Sequence, residues 1–234
     1  MATLRWQEPS GGGYTITEWD VEPRATALLL LDLQTCNVDP ERGCGTELRS
    51  RFPRQANYYY DSLRNRGLAA AAELLAFFRA QGLPVVHAHS ALALPDGRDI
   101  AGWSWRAHLS GRAASIPCLL PPGDPDARSW PDLEPKEGEL TLLKQTLSPF
   151  NGTALDQYLR NMGVQNLVLA GVLTNGAVES TARNAGDRGF NAIVAADACA
   201  ALSAEDQQAG TLFASWHIVR STGEIVDELA PLLA

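Results

Sequence analysis

Apolar residues along the chain fall into short unbroken runs that alternate with longer amphipathic stretches. The first run, TALLLLD over 26–32, is continuous, as in a strand buried on both faces. Five more follow at 84–89 (PVVHAH), 139–144 (ELTLLK), 166–172 (NLVLAGV), 191–197 (NAIVAAD) and 217–221 (HIVRS). Between them the pattern predicts helices over 61–82, closed by Gly82 and Pro84, then 153–163, 175–188, 203–215 and 223–232. Strands separated by helices imply parallel βαβ units with right-handed crossovers. The expected fold is a Rossmann-like, three-layer α/β/α sandwich around a parallel six-stranded sheet.

Two segments break the rhythm. Residues 33–60 contain CNVDPERGCG and the run Tyr58-Tyr59-Tyr60; residues 90–138 hold seven prolines and Trp103, Trp105 and Trp130. Loops of this length are usually functional or disordered, and the aromatic content favours ordered lids or a subunit contact. Residues 1–24 read as a loose lead-in. With no internal repeat or low-complexity linker, residues 1–234 are expected to form a single domain.

Composition narrows the partners. Net charge −8 argues against nucleic acid, which calls for a basic stripe. No apolar run approaches the ~20 residues that cross a bilayer, and the N-terminus lacks the apolar centre of a signal peptide. A cytoplasmic protein is expected. Cys36, Cys44, Cys118 and Cys199 show no C-x-x-C spacing and read as free thiols.

In open parallel sheets ligands bind outside the carboxyl ends of the strands. Asp32, His89, Lys144 and Asp197 stand at such ends, and the fourth strand runs into a Thr174–Ala177 turn that opens a helix. A carboxylate, an ammonium and a helix start can therefore share one rim. Each also has a plainer reading: a turn cap for Asp32, a solvated charge for Lys144, an ordinary βα loop for the turn. Gln34 and Asn37 could hold Asp32, contact a substrate carbonyl, or cap a turn. Trp105, with Trp103 and His108, lies in the loop that would overhang the rim, where aromatic walls suit a flat or cyclic substrate. His87 and His89 form an H-x-H whose rings share one strand face, but core packing for His87 and a rim position for His89 is the plainer reading, and no metal is expected.

Three blocks carry a resemblance: LLLLDLQ with Asp32, LLKQTLSPFNGT with Lys144, and AGVLTNGAVESTARNAGDRGF. They resemble the signature blocks of the isochorismatase-like cysteine hydrolases over roughly residues 25–221. Members that hydrolyse amides carry G-V-x-T-x-x-C-V-x-x-T-A in the last block. Here Ala177 stands in the cysteine's place, while Thr174, Val178, Thr181 and Ala182 keep the pattern. The resemblance implies a Cys–Asp–Lys triad that cleaves a C–N bond of a small amide, ureide or lactam, with no cofactor. It implies oxyanion donors at the amides of Leu173 and residue 177, presented by a cis Val172–Leu173 bond. Ser148 and Phe150 match K-x-x-x-S-x-F, which sets the lysine loop against the pocket. A homodimer or homotetramer is implied as well. Metal-binding relatives carry a D-x-H block that this chain lacks.

A methyl group cannot attack, and three accounts of Ala177 stand at this point. The chain is an inactive, nucleophile-deleted form of an amide hydrolase. Alternatively it is a thiol-independent isochorismatase-type vinyl-ether hydrolase, in which an acid protonates the substrate and water adds. Or it is a non-catalytic small-molecule-binding homologue.

Overall fold

The computed structural model describes residues 4–9, 16–94, 99, 120–121, 123–212 and 217–234. Its centre is a six-stranded sheet, parallel throughout. The strands are β3 (Thr26–Leu31), β4 (Val85–Ser90), β5 (Leu140–Lys144), β6 (Asn166–Val172), β7 (Asn191–Ala200) and β8 (Ile218–Arg220), in the order β5-β4-β3-β6-β7-β8. All six expected strands are present. The sequence order reverses between β3 and β6, so chain crossovers leave in opposite directions from that pair.

Period-two alternation within β3 builds both faces of the sheet. Leu28 and Leu30 join one apolar cluster; Ala27, Leu29 and Leu31 join the other. The first face is covered by helices α3 (Pro53–Ser62) and α4 (Leu68–Ala80) and by the C-terminal helix, whose core residues include Tyr59, Leu74, Phe78, Ile225 and Leu229. The second face is covered by α5 (Leu155–Asn161) and α6 (Glu179–Asp187) through Leu155, Leu159, Val178, Ala182 and Ala185. The result is the expected three-layer sandwich. Helix α7 (Ala204–Leu212) sits over the loop that follows β6, and α8 (Thr222–Leu233) opens with a Ser221/Glu224 capping box. Asp197, expected at a rim, instead accepts hydrogen bonds from the Thr222 amide (2.8 Å) and hydroxyl (3.0 Å), pinning the start of α8.

Three expectations need correction. The lead-in is not loose: β1 (Leu4–Pro9) and β2 (Ile16–Val21) pair as an antiparallel ribbon. Segment 33–60 is not a long loop. It holds α1 (Thr35–Val38), α2 (Cys44–Arg51) and α3, and a wide π-type turn at Leu63–Gly67 carries α3 into α4. Polar composition hid this, because α2 buries only Gly45 and Leu48 and has little apolar stripe. Finally, Cys36 and Cys199 are buried thiols outside any disulfide, but Cys44 is disulfide-bonded.

Candidate active site

The carboxyl ends of β5, β4, β3 and β6 form a continuous rim, and each delivers one group to it. Lys144 and Ser90 are the last residues of β5 and β4 and lie opposite each other in the ladder. Asp32 follows β3, and Leu173 follows β6. A glycine is needed just before that loop: Gly171 has φ 139°, and a Cβ there would overlap the Leu31 carbonyl oxygen.

Lys144 is 1% exposed and Asp32 6%. The Lys144 ammonium donates to Asp32 Oδ2 at 2.7 Å, to Ser90 Oγ at 2.8 Å and to the Thr146 carbonyl at 3.2 Å. All three of its protons have acceptors. The Ser90 hydroxyl in turn donates to Asp32 Oδ1 at 2.8 Å. Carboxylate, ammonium and hydroxyl therefore close a three-membered ring of charge-assisted hydrogen bonds. Asp32 takes a left-handed backbone, φ 56°, rare for a non-glycine residue. Its peptide is held at both ends: the amide donates to Ala88 O at 2.9 Å, and Asn37 Nδ2 donates to its carbonyl at 2.8 Å.

Gln34 is wholly buried and clamps Ser90. Its Nε2 donates to the Ser90 carbonyl (3.0 Å) and to Ala127 O (2.8 Å), while its Oε1 accepts from the Ser90 amide (2.8 Å). Both Gln34 and Asn37 thus hold the site together. Ser148 and Phe150 form the turn beyond Lys144, where the Phe150 amide donates to Ser148 Oγ at 3.3 Å. The Phe150 ring belongs to the apolar cluster on the second face of the sheet, against Phe190. Trp105, Trp103 and His108 lie outside the described residues; Trp130 packs against the apolar cluster on the first face of the sheet.

The Val172–Leu173 bond is cis. A π-type turn, Thr174–Val178, follows it and runs into α6, with the amides of Gly176 (3.0 Å) and Val178 (3.2 Å) donating to Leu173 O. Ala177 lies in this turn, 4% exposed, its carbonyl accepting from Thr181 Oγ1. Thr174 is buried and engaged: its hydroxyl donates to Gln207 Oε1 at 2.7 Å, and Gln207 Nε2 donates to Ala196 O at 3.2 Å. Gly210, on the same helix, lets α7 touch the turn, since a Cβ there would stand 2.8 Å from the Asn175 nitrogen.

Neither buried thiol is poised as a nucleophile. Burial, followed by repulsion from Asp32, pushes Cys36 up to about 12; burial pushes Cys199 up to about 12 as well. The H-x-H pair is engaged. His87 Nε2 lies 3.0 Å from Glu139 Oε2, and His89 Nε2 lies 2.8 Å from Ser129 Oγ. Burial lowers His87, and burial with His87 and Lys144 nearby takes His89 down to about 4, so the imidazole beside the site is neutral. Both histidines are buried, and His89 lies one residue before Ser90 at the end of β4. No three His, Cys, Asp or Glu side chains cluster to hold a metal among the described residues.

Sequence reasoning found Asp32 and Lys144 but missed Ser90, Gln207 and Gly210. Ser90 was accessible to the same strand-end argument, one residue beyond His89. Gln207 and Gly210 carried no signal, because only packing brings α7 onto the turn.

The model of the isochorismatase domain matches residues 26–226. The chain is 32% identical to the uncharacterized isochorismatase family protein YecD of Escherichia coli O157:H7, over 90% of this chain and 99% of that one. It is 29% identical to the ureidoacrylate amidohydrolase RutB of Pseudomonas syringae pv. syringae, over 82% of this chain and 78% of that one. Among solved structures, a cysteine hydrolase from Pseudomonas syringae pv. phaseolicola superposes with a TM-score of 0.73 at 23% identity, covering 91% of this chain and 96% of that chain.

Proposed function

Given that the chain belongs to the isochorismatase domain family, we propose that its rim is the small-amide site of a C–N hydrolase in which a methyl group fills the thiol's seat. The carrying observation is the buried Asp32–Lys144 pair, 2.7 Å apart, beside a turn that keeps the family's cis bond and surrounding residues around Ala177. The similarity to an amidohydrolase supports the bond class.

In the thiol form of such a site, Asp32 accepts the thiol proton and Lys144 holds the ion pair together. The thiolate attacks the amide carbon, and backbone amides at Leu173 and residue 177 receive the oxyanion. Asp32 then returns its proton to the departing nitrogen, and water resolves the thioester. With Ala177 in place that route is closed. A vinyl-ether hydrolase would instead need Asp32 to give a proton first. Here both carboxylate oxygens accept hydrogen bonds, one of them from an ammonium, so neither acts as a donor in this geometry.

Ala177→Cys is the direct test. Restored amidase activity, read as ammonia or amine release from a panel of small amides, ureides and lactams, should exceed that of the Ala177 form by ~100-fold or more. Absence of release across the panel, with cleavage of an enol-ether substrate by the Ala177 form, would replace this reading with the thiol-independent one. Ligand-induced rises in melting temperature without turnover by either form would favour a binding protein. The expected assembly, a homodimer or homotetramer, is read by light scattering.

A further inference from the structure

We propose that Ser90 is the nucleophile of this chain, a hydroxyl at the end of β4 doing what the thiol on the β6 turn does elsewhere. The assignment rests on the C–N hydrolase reading for its substrate class alone; the nucleophile itself follows from geometry.

A serine hydroxyl is a weak nucleophile unless a base takes its proton and a positive group stabilises the oxygen left behind. Ser90 has both. Its Oγ is 2.8 Å from Asp32 Oδ1, to which it donates, and 2.8 Å from the Lys144 ammonium, from which it accepts. Of the three groups the serine is the most accessible. It is partly buried, while Asp32 and Lys144 are 6% and 1% exposed. The ion pair therefore backs the hydroxyl. The position is also rigid, because Gln34 binds both the amide and the carbonyl of Ser90 and is itself wholly buried. Such pre-organisation is more than a strand end requires, and it fits a group that must meet a substrate in one orientation. Among the described residues the competing thiols are buried and protonated.

The step balances without an oxidant or metal. Ser90 Oγ forms a bond to the carbonyl or carbamoyl carbon as its proton passes to Asp32 Oδ1, and the C=O electron pair moves onto oxygen. That pair returns as the C–N bond breaks, and the nitrogen takes the proton from Asp32 and leaves as ammonia or an amine. Water then attacks the ester, giving a proton to Asp32. The C–Oγ bond breaks, the proton returns to Ser90, and the acid is released. Lys144 keeps its charge throughout.

The full-length chain is incubated with p-nitrophenyl acetate, and the nitrophenol burst and the acetylated peptide are followed together. Acetyl should be found on Ser90. Ser90→Ala should lower the burst by ~100-fold or more with its circular dichroism unchanged. Ser90→Cys should restore acylation and make position 90 reactive towards iodoacetamide. A burst of equal size in Ser90→Ala, or no acetyl at Ser90 in the folded protein, overturns the assignment. The two readings separate cleanly. If Ala177→Cys cleaves amides while Ser90 is never acylated, the C–N reading stands and this one falls. If Ser90 is acylated but no amide is cleaved by either form, this one stands and the C–N reading falls.

Discussion

Asp32 pairs an uncommon backbone with a demanding side-chain environment. A non-glycine residue at positive φ costs on the order of 1–3 kcal/mol and persists where its surroundings over-determine it. Here they do, through Lys144, Ser90, Asn37 and the Ala88 carbonyl. The ion pair is buried, so removing one partner leaves a charge with nothing to offset it. Lys144→Met should lower the unfolding free energy by about 3–5 kcal/mol. Adding Asp32→Asn should recover part of that loss, because asparagine tolerates the same backbone and carries no charge. Urea denaturation of the single and double variants measures both; additive losses would show that the two groups are not coupled.

One strand, β3, and one helix, α7, press on the end of β6 and its turn, and each contact needs a glycine. Gly171 faces the β3 backbone, and Gly210 faces the turn itself. Gly171→Ala should destabilise by about 3 kcal/mol or more, at the upper end of what overpacking costs, because the obstruction is backbone and cannot swing aside. Gly82→Ala is the control: that residue also has positive φ, 63°, but open space around it, so only the ~1–2 kcal/mol of a left-handed non-glycine residue is expected. Melting curves of the two variants should differ by several degrees. Equal losses would mean that the β3–β6 approach is not tight.

Across the whole molecule, three buried histidines make stability depend on pH. His87, His89 and His217 are all lowered, primarily by burial; His89 and His217 fall to about 4, the latter also under the influence of Arg183. A histidine whose folded value is depressed leaves the unfolded chain as the better proton acceptor. Stability is therefore full above about pH 6.5 and declines as the pH falls towards 4. His89 and His217 should each remove on the order of 2 kcal/mol between pH 7.5 and pH 5. Glu139 acts lower down. Burial works against its charge, but Arg79, the Lys136 amide and His87 hold its carboxyl at about 2. Its contribution is present above about pH 4.5 and fades as the pH falls towards 2. Urea midpoints at pH 7.5 and pH 5 should show the histidine loss, and His217→Leu should flatten it; a flat profile in the parent chain would contradict neutral, buried imidazoles.

The sheet and its two helical layers were written in the chain, because a strand buried on both faces must be apolar along its length, and ALLLL over 27–31 is. Asp32 and Lys144 were legible as neighbours on one rim for the same reason: strand ends fall where the apolar runs stop. The helices of segment 33–60 were not legible, because a polar helix secured by its neighbours leaves no period to read. Ser90 stood within reach of the same strand-end argument, but nothing local marks a hydroxyl as lying 2.8 Å from two charges. Lys144 is 54 residues from Ser90 and 112 from Asp32, and only the adjacency of β5, β4 and β3 closes those distances. Periodicity reports which face of an element is buried; which side chains meet at an edge depends on strand order, and strand order exists only in the folded sheet.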